Sequence, residues 1–291
     1  MATAAAQGPG GFAGEVEDET GAPVRGATVT AEDSSAAPSV VAATTDEHGR
    51  FSLYPLPQGR WRYVVAASGY ELSAGRFNIG PPKVSEATIR LRKSGVNAVL
   101  GVTSREIQAA LVEGDELYAA KQYDEAIAVY SALLEKAPVL HFVNLQIAQC
   151  YREKKEYDKA IEHYRDVLKD DPNSEDAKLG IGVCELDKGD FRTADAILSE
   201  AATNPAATKE TFYNLGEAKF ALGDVAGSAP WFQKAADADA SWGRPLLRLV
   251  LVAVNRGDRE GATRLLEKVI AIDPASPDAT EARAMMAQLR K

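Results

Sequence analysis

The sequence predicts a multidomain β + α chain, an N-terminal antiparallel β-sandwich followed by an α-helical solenoid. Three observations predict it. Residues 12–93 hold short β-branched stretches cut by dense turn signals. Further on, small side chains recur every 34 residues, at Ala126, Ala160, Ala194, Ser228 and Ala262, with no insertion or deletion over five copies. Composition is that of an ordinary folded protein, 45% hydrophobic and 26% charged. A period of this length marks stacked helical hairpins, which build binding surfaces and seldom active sites.

Residues 1–11, rich in Ala, Gly and Pro, read as a disordered N-terminal segment. The small residues before Gln7 resemble an Ala-x-Ala cleavage site. A trimmed export signal and an extracytoplasmic location are therefore expected, with a plain cytoplasmic N-terminus as the alternative.

Strands are expected at 14–18, 27–31, 40–45, 50–54, 60–66 and 87–92. Alternation is clearest in Trp61-Arg-Tyr-Val-Val65 and Ala87-Thr-Ile-Arg-Leu-Arg92. Turn signals separate the strands at Glu19-Thr-Gly21, Asp46-Glu-His-Gly49, Pro57-Gln-Gly59 and Ser68-Gly69. Short strands at this spacing argue for a small antiparallel sandwich. Asp46 and Glu47 could touch a calcium ion, but a plain turn accounts for them.

The motifs Gly14-Glu-Val-Glu-Asp18, Gly21-Ala-Pro-Val-Arg-Gly-Ala-Thr-Val29, Thr45-Asp-Glu-His-Gly-Arg-Phe51, Leu56-Pro-Gln-Gly59 and Gly69-Tyr70 resemble those of the carboxypeptidase regulatory-like family. The resemblance implies a transthyretin-like or Ig-like sandwich over 12–93. It also implies an accessory module, often exported, without catalytic residues of its own.

Residues 94–106 form a linker whose apolar members suggest packing onto a domain. Thr103 and Glu106 have capping-box spacing, which starts a helix. Five 34-residue copies follow over 107–276. A small residue early in each first helix stands at Gly114, Ala148, Gly182 and Gly216, with Val250 departing in the last copy. A bulky residue stands four positions after each member of the alanine series, at Tyr130, Tyr164, Leu198, Phe232 and Leu266. Proline ends the unit at Pro138, Pro172 and Pro274, while the third and fourth copies carry Ala206 and Ala240 there. Small residues let antiparallel helices approach, and bulky ones fill the space beside them. These positions resemble the tetratricopeptide repeat (TPR) family. Residues 277–291 read as a C-terminal capping helix with Ala282, Met285, Met286 and Leu289 on one stripe.

Several functions are disfavoured. The net charge is −9, which disfavours nucleic-acid binding, and no apolar run is long enough to span a bilayer. Cys150 and Cys184 lie 34 apart at one helical position and read as buried thiols. His48, His141 and His163 form no metal-ligand spacing. Gly8-Pro-Gly-Gly11 lacks the strand–helix context of a phosphate loop. No catalytic residue, metal or cofactor is therefore expected.

The TPR resemblance implies a groove lined by the first helix of each copy. Carried over residue by residue, its rows are Leu111, Leu145, Leu179, Tyr213 and Leu247; Asp115, Gln149, Val183, Glu217 and Leu251; and Tyr118, Arg152, Leu186, Phe220 and Val254. The candidate contact residues are Leu145, Gln149, Arg152, Leu179, Val183, Leu186, Tyr213, Glu217, Phe220, Leu247 and Leu251. So apolar a face fits a scaffold that holds an apolar or amphipathic peptide or helix. Leucines replace the Lys and Asn pattern that clamps a C-terminal carboxylate in this family. The alternative is a structural subunit that meets further copies of itself in a surface assembly or filament.

Overall fold

A computed structural model describes residues 10–33, 36, 40–80, 84–93, 104–205 and 207–289. The expected export signal, the disordered start up to residue 9, the linker over 94–103 with Thr103, and Ala206 lie outside the described residues. Residues 1–150 and 151–291 form two compact units, taken in turn.

The first unit holds β1 (Gly10–Asp18), β2 (Thr28–Glu32), β3 (Val40–Thr44), β4 (Arg50–Leu56), β5 (Gly59–Ala66), β6 (Ser73–Ile79) and β7 (Val84–Leu91). Helices α1 (Ser104–Ala119) and α2 (Tyr123–Lys136) and most of α3 (Val143–Glu153) follow. Gly10 and Gly11 are buried in β1, so the strand begins inside the segment expected to be disordered. The sheets are ordered β4-β1-β7 and β3-β2-β5-β6. Two features correct the expectation of six antiparallel strands. β6 is an additional edge strand. β1 pairs with β7 in parallel from Gly11↔Val84 to Asp18↔Leu91. Short hairpins impose antiparallel pairing, but β1 and β7 are the first and last strands of the domain, and no turn fixes their relative direction.

The sandwich core gathers Phe12, Val16, Val29, Phe51, Leu53, Trp61, Val65, Ile89 and Leu91. Phe12 stacks on Phe77 at 3.8 Å between centroids and meets the edge of Phe51 at 5.1 Å. The motif residues close turns. The Asp18 carboxylate accepts from the Thr20 hydroxyl at 2.6 Å and from the Thr20 and Ala22 amides, which holds its pKa down at about 2. The Thr45 hydroxyl donates to the Val24 carbonyl and accepts from the Ala27 amide. Asp46 accepts from the His48 and Arg50 amides at 2.8 Å, the hydrogen bonding of a plain turn.

The second unit continues with α4 (Tyr157–Asp170), α5 (Glu175–Lys188), α6 (Phe191–Ala201), α7 (Lys209–Ala221), α8 (Val225–Ala238), α9 (Arg244–Asn255), α10 (Arg259–Ile272) and α11 (Pro277–Leu289). Eleven helices thus fall among the described residues, ten of them paired within the five 34-residue copies and α11 following the last. The pairing follows from the small and bulky positions. A Cβ on Gly216 would lie 2.6 Å from the Phe232 ring, and one on Gly182 would lie 2.5 Å from Leu198. In the first unit Gly114 faces Tyr130 in the same way. Val250 replaces the small residue in the last copy and is fully buried with Leu266 and Ala282. Pro230, inside α8, cannot donate to the Ala226 carbonyl; the Arg256 guanidinium reaches that oxygen at 3.5 Å.

The turn between the helices of a copy differs along the chain. Gly189, Gly223 and Gly257 sit at φ 83°, 84° and 76°, followed by Asp190, Asp224 and Asp258, whose carboxylates cap the next helix. The first two copies place Lys121 and Lys155 there at φ 60° and 62°, followed by Gln122 and Glu156, which make no side-chain cap. The Lys155→Gly/Glu156→Asp double variant is expected to stabilise the chain by about 1–2 kcal/mol, by relieving a left-handed lysine and adding a cap. The ion pairs of Glu156 with Lys154 and Lys159 lie near the surface and offset little of this. A urea midpoint at or below that of the parent sinks this account.

Candidate functional site

The expected groove positions lie on α1, α3, α5, α7 and α9, the first helices of the copies. In the second unit they split into two groups. Leu179, Val183 and Leu186 on α5, Tyr213, Glu217 and Phe220 on α7, and Leu251 on α9 are half-buried, and Val254 is 43% exposed. Leu247 corrects the expectation, because it is only 4% exposed. It belongs to the C-terminal core with Leu246, Val250 and Ala282, where α11 closes the last copy. Arg152, at the start of the unit, is half-buried beside Glu153 at 3.3 Å.

Leu145 is the second correction. In the first unit it is 2% exposed, and Leu111, one copy earlier at the same position, is 1% exposed. Both are covered by their own chain and present no surface to a partner. Gln149 is half-buried, and Asp115 accepts from the Tyr130 hydroxyl at 2.6 Å. Burial, then the Asp115 charge, push the Tyr130 hydroxyl well above the usual phenol range.

The open stretch of the second unit is apolar at one end and mixed at the other. Leu179 and Leu186 pack at the edge of a small core with Leu198, Leu215 and Trp231. Toward α9, Glu217 meets Arg248, with Nε 2.6 Å from Oε1 and Nη2 2.7 Å from Oε2. Arg248 Nε also donates to the Tyr213 hydroxyl at 3.4 Å. Burial raises the Glu217 carboxyl and the Tyr213 hydroxyl above their ordinary pKa values. Tyr213 is held between Phe232 at 5.7 Å and Trp242 at 4.9 Å, and the Lys209 ammonium lies 5.4 Å from the centre of the Trp242 ring. Arg248 and Trp242 were missed from sequence. Arg248 directly follows the Leu247 position, and 31 residues separate it from Glu217, so a charge search between adjacent copies could have found the pair.

The arrangement offers apolar contact and the fixed Glu217–Arg248 pair beside the Tyr213 hydroxyl. Burial pushes the Cys184 thiol up to about 12, and Cys150, one copy earlier, is fully buried as well. Among the described residues no group of three or more His, Cys, Asp or Glu side chains is placed to hold a metal. Among the same residues no helix is long and apolar enough to cross a membrane.

The family models agree with this architecture. The carboxypeptidase regulatory-like domain model matches residues 11–92, and two tetratricopeptide repeat models match 111–175 and 151–207. The chain joins a carboxypeptidase regulatory-like domain to tetratricopeptide repeats. The TPR matches end within the third copy, and α7 to α10 continue the helical pairing beyond them. Solved structures similar to the array include MamA from Desulfovibrio magneticus RS-1, at 18% identity, covering 60% of this chain and 99% of that one, with a TM-score of 0.54. Pseudomonas aeruginosa pilF is 16% identical, covering 64% and 89% respectively, also with a TM-score of 0.54. At this identity the likeness shows the fold alone. No curated protein matches the chain. The TPR array is a protein–protein interaction domain.

Proposed function

We propose that the chain is an exported, non-catalytic scaffold that holds a protein partner through an apolar or amphipathic segment on the inner face of its third and fourth repeats. The observation behind this reading is the half-exposed stretch of Leu179, Val183, Leu186 and Phe220, beside equivalent leucines that the chain itself buries. An amphipathic helix could set its apolar side on the leucines and a polar group toward Tyr213, Glu217 and Arg248. Export takes its support from the small residues before Gln7 and from the usual setting of the sandwich family. The self-assembly alternative has less support, since Arg76 stands in the middle of edge strand β6, and charge there discourages strand addition.

The test is a panel of labelled amphipathic and wholly polar peptides titrated against the full chain. The parent is expected to prefer the amphipathic set. Leu179→Asp/Phe220→Asp is expected to lose that preference by about tenfold or more, at about 1.4 kcal/mol per decade, with helicity unchanged. Equal binding by parent and variant rejects the groove.

A further inference from the structure

The two central strands of the four-stranded sheet, β2 and β5, carry buried side chains on both faces. Along β2, Val29 and Ala31 belong to the sandwich core, so Thr30 and Glu32 point out of it. Along β5, Trp61 and Val65 point in, so Arg62 and Val64 point out. A sandwich standing alone would leave those four side chains wet, yet they are 3%, 1%, 8% and 3% exposed. Their neighbours name the cover. Gln146 Nε2 on α3 donates to Glu32 Oε1 at 2.8 Å, and the Arg62 guanidinium lies 5.5 Å from the centre of the Phe142 ring. Helix α1 packs beside β2 and β3. On the same helices, α1 and α3, Leu111 and Leu145 hold the inner-face position and are buried, while Leu179 at that position one copy later is half-exposed.

We propose that the sandwich is the array's own resident ligand: it occupies the inner face of the first two repeats, and a partner reaches that face only by displacing it. The joint suits reversible occupancy. Glu32 and Arg62 are direct cross-strand neighbours, with Nε 3.0 Å from Oε2, so both charges of the latch belong to the sandwich. Opening the joint therefore hydrates an intact ion pair and strands no charge. Gln146 Oε1 is buried without a hydrogen-bond donor. Opening lets water satisfy it, which offsets part of the cost of wetting the apolar surface at the joint. Partner displacement rests on the inner face being the recognition surface, as proposed above; the joint itself does not.

Hydroxyl-radical footprinting of the full chain tests this without any partner. In the parent, Leu111, Phe142 and Leu145 are expected to be several-fold less reactive than Leu179. Gln146→Glu sets a second carboxylate against Glu32, and the reactivity of all three is expected to rise while that of Leu179 stays fixed. Glu32→Gln/Gln146→Glu exchanges amide and carboxylate across the joint and is expected to restore the parent pattern, which separates release from misfolding. Equal reactivity of Leu145 and Leu179 in the parent overturns the proposal, as does a Gln146→Glu footprint identical to that of the parent. A failed groove leaves these footprints untouched, so the two readings fall separately.

Discussion

Glu32→Ala is expected to destabilise the first unit by about 3–5 kcal/mol, the cost of breaking a buried ion pair from one side. Glu32 and Arg62 are 1% and 8% exposed. Removing the carboxylate leaves the Arg62 guanidinium facing Phe142 in a site where water cannot stand in for the missing oxygens, and it also removes the acceptor of Gln146 Nε2. The companion variant is Glu32→Met/Arg62→Met. Two apolar side chains of similar length keep the volume and strand no charge, so the double change is expected to cost far less than the single one. Chemical denaturation of the full chain measures both. A single-variant loss below about 1 kcal/mol would mean that Arg62 is hydrated, which contradicts the covered sheet face.

The second large effect lies in the fourth repeat. Phe232→Ala is expected to cost about 3–5 kcal/mol, as large-to-small changes at fully buried aromatics do. Phe232 is 0% exposed and fills the space that Gly216 leaves open on α7. Gly216→Leu alone is also expected to destabilise, because its Cβ would lie 2.6 Å from that ring. Combined, Gly216→Leu/Phe232→Ala moves bulk from one helix to the other, and the double variant is expected to be more stable than the sum of the single losses predicts. Strict additivity in urea melts would show that the two positions do not share one space.

The helical half was legible because its determinants are local and repeated. A small residue and a bulky residue 16 apart, as at Gly182 and Leu198, specify one hairpin, and the 34-residue period copies it. The sandwich was legible where glycine and aspartate close turns, as at Asp18 and Asp46. β6 escaped because Gly75, Arg76 and Asn78 dilute its β-branched and aromatic content. The covered sheet face escaped for a different reason. Thr30, Glu32 and Arg62 are polar, and polar residues alternating with apolar ones signal water on one side. Here the polar side meets Gln146 and Phe142, 114 and 80 residues further along, a pairing that no periodicity encodes. The same limit applies to the groove rows. Position within a repeat was readable, but whether Leu145 or Leu247 faces solvent depends on which neighbouring element covers it.

The parallel pairing of β1 with β7 also governs when the sandwich can form. β1 is the central strand of its sheet, with β4 on one side and β7 on the other. On a ribosome, or emerging from a translocation pore, the first strand of the domain remains half-paired until residue 91 has been delivered. Such long-range closure is slow compared with helical hairpins, whose partners are near in sequence. At about 5–20 residues per second, synthesis delivers residue 91 seconds before the first hairpin is complete, so the sandwich is expected to close first and to offer its outer sheet face to the helices as they emerge.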